Sequence, residues 1–83
     1  MGANMNYLLE NLNTAVARAA ELTDDPQLIR LLGTIKAARR QADIALAENL
    51  TEDPRLLRIL GAIKNTAKEI ALRESSARFS APT

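Results

Sequence analysis

Residues 22–36 read LTDDPQLIRLLGTIK, and residues 50–64 read LTEDPRLLRILGAIK. The offset is 28 residues, and ten of the fifteen paired positions are identical. Asp24/Glu52, Ile29/Leu57 and Leu31/Ile59 are conservative pairs, and Val16/Ile44, Ala17/Ala45 and Ala19/Ala47 extend the echo upstream. The repeated unit is thus one helix with the turn that starts it. Most solenoid repeats of about 20–50 residues carry two elements each. A single-helix repeat joined by short turns reads instead as an up-and-down bundle.

The segments TDDP and TEDP explain the turns. Proline suits the first helical position, where its missing N–H would have had no partner. The residue before proline is pushed out of the α region, which makes Asp25 and Asp53 natural N-caps, with Thr23 and Thr51 as alternates. Acidic side chains there also face the positive end of the helix dipole.

Working outward, apolar residues recur at three-and-four spacing and nowhere alternate with period two. Helix 1 is expected over about 4–22, with Met5, Leu8, Leu9, Leu12, Ala15, Val16, Ala19 and Leu22 on one face. Helix 2 is expected over about 26–49, striped by Leu28, Leu31, Leu32, Ile35, Ala38, Ala42, Ala45 and Leu46. Helix 3 is expected over about 54–75, striped by Leu56, Ile59, Leu60, Ile63, Ala67 and Ile70. Gly33 and Gly61 are alternative helix ends, but the apolar phase runs straight through both, so continuous helices are expected. The fold class is all-α: three antiparallel helices in an up-and-down bundle or helical hairpin assembly. SSARFSAPT, residues 75–83, has the composition of a flexible tail over 76–83, in which Phe79 is a conceivable docking anchor.

The totals set outer bounds. Eighty-three residues make one domain, small for a self-sufficient core. An apolar fraction of 47% excludes a disordered chain, and a net charge of +1 supplies no global field for nucleic acid or anionic membrane. The chain has no Cys and no His, which removes disulfides, thiolate nucleophiles and the commonest base and metal ligand. No run approaches the roughly 18 apolar residues that would suggest a membrane span. The start lacks the charged and apolar regions of a secretory signal, and Gly2 lacks the Ser or Thr at position 6 that myristoylation favours. A cytoplasmic protein is expected.

A second face accompanies the main stripe. At about 100° per residue from Leu28, Ile29, Gly33 and Ile44 fall together, well away from the core positions. Leu57, Gly61 and Leu72 repeat the pattern in helix 3. A three-helix core needs one stripe per helix. Ile29, Gly33, Ile44, Leu57, Gly61 and Leu72 are therefore the candidate interaction face, for a homodimer, another homo-oligomer or a helical partner.

Other clusters carry weaker chemistry. Asp24 with Asp25, and Glu52 with Asp53, lack the spacing of a calcium loop, and capping accounts for them. No pair of acids sits where a cleft could separate their pKa values, and Tyr7 reads as a packing or rim residue. No catalytic, metal or cofactor site is expected. Lys36, Arg39, Arg40, Lys64 and Lys68 form the densest basic patch, but Asp43, Glu48, Glu69 and Glu74 interleave with it. Arg39 is an anomaly, falling about 20° from Leu28 inside the apolar stripe. It would snorkel outward along the core or pair with an acid to fix a register.

The sequence thus points to a non-enzymatic helical protein that acts by protein–protein interaction, a regulator, adaptor, co-chaperone or inhibitor, and self-associates. A nucleic-acid-associated regulator using the basic patch is the alternative. A membrane-surface binder is disfavoured because the polar faces mix both signs of charge.

Overall fold

The computed structural model describes residues 3–79, with side chains over 5–75, and every regular element among them is helical. There are four helices: α1 over Ala3–Glu21, α2 over Pro26–Ala38, α3 over Gln41–Asn49 and α4 over Pro54–Phe79. Both proline-led starts fall where the sequence places them. Asp25 is extended (φ −71°, ψ 115°), and its carboxylate accepts from the Gln27 N–H at 2.9 Å. At α4 the Arg55 N–H donates to Asp53 Oδ1 at 2.9 Å. Each cap is locked from behind, because the Asp N–H donates to the hydroxyl of Thr23 or Thr51, both at 3.1 Å. Even the helix exits match, with Leu22 N–H to Ala19 O and Leu50 N–H to Ala47 O at 3.0 and 3.1 Å.

The likeness between the two halves stops within the next helix. The expected helix over 26–49 is two helices, broken at Arg39–Arg40. Arg39 is left-handed (φ 55°, ψ 37°), and its N–H closes α2 on Ile35 O at 2.7 Å. Arg40 is extended (φ −83°, ψ 136°) and starts α3 with no side-chain cap. The equivalent position of the second copy, Ala67, lies inside the unbroken α4. The three-helix expectation is therefore corrected to four. Neither Gly33 nor Gly61 interrupts a helix. The third expected helix also runs further, to Phe79 rather than about 75. The rest of the expected tail, like Gly2 and the side chain of Phe79, lies outside the described residues.

The break folds α3 back on α2, so that Gln27, Arg30, Leu31 and Thr34 share a groove with Leu46 and Leu50. Contacts join α1 to α2, α2 to α3, α3 to α4 and α4 to α1, with none across the diagonals among the described residues. Helices adjacent in sequence are joined by only two to four residues, the linker length typical of antiparallel neighbours. The result is a four-helix arrangement 48 Å long and about 20 Å wide.

The core follows the expected stripes of α1, α4 and the first part of α2: Leu12, Val16, Ala19, Leu28, Leu32, Ile35, Leu56, Leu60, Ile63, Ala67 and Ile70. In α3 it does not. Ile44 and Ala47 are fully buried, while Ala42, Ala45 and Leu46 are exposed. Exchanging one stripe for the other is nearly neutral in apolar area. What the break adds is a seam on each side of α3, against α2 and against α4. The roughly 1–2 kcal/mol that a left-handed non-glycine residue costs is offset by those seams, which hold Ile44 fully buried. No helix among the described residues is long and apolar enough to cross a membrane.

Candidate functional site

Helical geometry sorts the residues of the expected interaction face. Ile44 is fully buried in the molecule's own core and leaves that face. Ile29 and Gly33 are exposed on α2, on the flank opposite the one that meets α3. Leu57 and Gly61 are half-buried on α4, and Leu72 is 67% exposed further along that helix. The backbones of α2 and α4 do not approach one another closely, and the two groups stand on different helices. At Gly33 and at Gly61 an added Cβ would meet nothing within 4 Å. Neither glycine is demanded by packing within the chain.

The α4 helix has two distinct flanks. Ala62 and Thr66 look toward Asn11, Thr14, Ala15 and Arg18 of α1. The opposite flank carries Leu57, Gly61, Lys64, Lys68, Leu72 and Ser75, and α3 covers only its first half. There the Gln41 amide donates to the Lys64 carbonyl at 3.4 Å. Beyond Gln41 the nine-residue α3 has ended while α4 continues. The seam opens into a groove of about 460 Å³, floored by Ala67, Ala71 and Leu72 with Ser75 at the far end. Arg39, Gln41 and Lys68 form its near rim.

The basic residues gather at this rim. Arg39 and Arg40 are the turn itself, and Lys64 and Lys68 stand on the α4 flank facing it, while Lys36 lies in the last turn of α2. Arg39, which sequence reasoning left without a partner, reaches Glu74 at 3.2 Å and keeps about a quarter of its side chain exposed. Such a part-exposed pair contributes about 0–1 kcal/mol and works mainly by positioning the guanidinium.

Asp43 was missed as anything beyond a charge. Its Oδ2 is buried without a hydrogen-bond partner, in the first turn of the uncapped α3. The positive end of that helix offsets part of its desolvation. Among the described residues no three acids converge as a metal cluster would require. The two acidic pairs at the turns are used as caps. The Arg55 N–H bound to Asp53 holds that carboxyl below the usual carboxylate range, and the Arg55 guanidinium, 3.5 Å away, adds to the effect.

A second groove, about 300 Å³, lies on the outer surface of the α2–α3 hairpin and is lined in part by Leu31, Leu46 and Leu50. Leu46 and Leu50 are 53% and 42% exposed there. Turn chemistry could not have announced this groove, because it depends on the break at Arg39. No family model matches the chain, and neither a curated protein nor a solved structure proves similar to it.

Proposed function

We propose that this chain is a small non-enzymatic helical protein that acts by protein–protein interaction, of the regulator, adaptor, co-chaperone or inhibitor type, and that it self-associates. The observation that supports this most is the placing of its large apolar side chains. Ile29, Leu46 and Leu50 are all more than two-fifths exposed on one helical hairpin, with the open backbone of Gly33 beside Ile29. Burying each such side chain against a partner yields about 1.5–3 kcal/mol, a large share of the roughly 5–15 kcal/mol that holds a small domain together. The groove that Leu31, Leu46 and Leu50 line on the α2–α3 hairpin is the proposed self-association surface, and Ile29 with Gly33 offers a separate apolar patch on the other flank of α2. Sedimentation velocity over micromolar to millimolar concentrations tests it. A dimer is expected, and Leu46→Lys with Leu50→Lys should convert it to a monomer of unchanged helicity. A wild-type monomer throughout that range would refute self-association.

The gathering of Arg39, Arg40, Lys64 and Lys68 at one turn favours a second reading, a nucleic-acid-associated regulator. Duplex DNA affinity that falls steeply with salt, and is lost in Lys64→Glu with Lys68→Glu, would select it.

A further inference from the structure

We infer that the groove below the α2–α3 turn is a seat for an acidic amphipathic helix of two to three turns, supplied by a partner protein. The inference rests on the interaction reading above and names the partner class for a different surface from the self-association hairpin.

The flank of α4 that forms the groove is already a helix-binding surface within the molecule. Its first half carries α3, where the Gln41 amide meets the Lys64 carbonyl. The same face continues past the end of α3 through Lys68, Leu72 and Ser75, all exposed. From Ala67 to Ser75 the open stretch is about 12 Å long at the α-helical rise. An added helix on the line of α3 meets the same ridge spacing that α3 meets. The floor is apolar and shallow, because Ala67 and Ala71 are small, and Leu72 is the largest exposed aliphatic of α4.

The rim gives the charge of the occupant. Arg39 and Lys68 line the groove, with Arg40 next to Arg39 in the turn, and Glu74 engages Arg39. The uncapped N-terminus of α3 adds positive potential on the same side. A helix with carboxylates along one edge answers that rim, whereas a basic helix is repelled.

The test uses the full chain, isotope-labelled, and two synthetic fourteen-residue Leu/Ala helices. One carries Glu along its edges and the other Lys. The Glu helix should shift amide signals of Arg39, Lys68, Ala71, Leu72 and Ser75, and bind about tenfold tighter than the Lys helix. Leu72→Asp should abolish the shifts, and Lys68→Glu should reverse the preference, with folding monitored by the remaining spectrum. Shifts at the groove without charge preference overturn the acidic partner. Movement of the same signals on dilution of the protein alone assigns the groove to a second copy and also overturns it. Shifts confined to Leu46 and Leu50 refute the groove and leave the interaction reading standing. No shifts with either helix, in a chain that stays monomeric, remove both.

Discussion

Arg39 is the residue on which the architecture turns. A left-handed residue without glycine's freedom is uncommon, and here it stands between two helices with no Gly, Asn or Pro beside it. The break gives substitutions at this position a sign that a continuous helix would reverse. Arg39→Gly and Arg39→Ala both lose the contact with Glu74, but only glycine relieves the backbone. Arg39→Gly is expected to be more stable than Arg39→Ala by about 1 kcal/mol in urea unfolding. In a continuous helix alanine would win by a similar amount. At the caps, Asp25→Ala should cost about 0.5–2 kcal/mol. Asp53 adds a pH signature. Its folded pKa is lowered by the Arg55 N–H, so its contribution is complete above the unfolded carboxylate pKa and is lost as pH falls through the folded value. Asp53→Asn, which can still cap, should flatten the acid side of the stability–pH curve. Equal slopes for the two proteins would exclude the linkage.

Among the elements, α3 separates local pattern from tertiary packing most sharply. Continuing the stripe of α2 puts Leu46 in the core and Ile44 outside it. The observed helix does the reverse, with Ile44 fully buried and Leu46 53% exposed. Ile44→Ala should therefore cost about 2–5 kcal/mol, as buried aliphatic truncations do, and Leu46→Ala within about 0.5 kcal/mol of nothing. Thermal or chemical unfolding of the two variants under conditions where the chain is monomeric decides the matter. The opposite order would mean that 26–49 is one helix after all. By contrast, α1 and α4 behave as their sequences read. Their apolar spacing carries directly into Leu12, Val16 and Ala19, and into Leu56, Leu60, Ile63, Ala67 and Ile70.

At the scale of the whole molecule, unequal helix lengths create the open surfaces. A 13-residue α2 and a 9-residue α3 cannot cover a 26-residue α4, so one seam ends in a groove and the hairpin presents its own back. The two helical glycines have open space around them. Gly33→Ala with Gly61→Ala should stabilise the monomer by about 0.5–1 kcal/mol per site. If a close helix approach at Gly33 is part of self-association, the same Gly33→Ala change should weaken the dimer in sedimentation velocity while its melting temperature as a monomer rises. A gain in monomer stability with no change in assembly would remove Gly33 from the interface.

Sequence alone determined the helical class, the positions of Asp25-Pro26 and Asp53-Pro54, and the core faces of α1 and α4. Those features are local. A cap is made by side chains two residues from the amides they satisfy, and a stripe is a period of one helix. The 28-residue echo likewise encoded two matching turns, but not two matching helices. Only the tertiary structure decided that KAARRQAD, residues 36–43, turns back on itself, and with it which side of α3 is inside. The exposed apolar surface was partly legible, in Ile29 and Leu72, and partly not, since Ile44 went to the core and Leu46 and Leu50 came out. The physical reason is one of range. The energy that holds Arg39 in a left-handed turn comes in part from the seam of α3 with residues 54–75, which no window around position 39 contains.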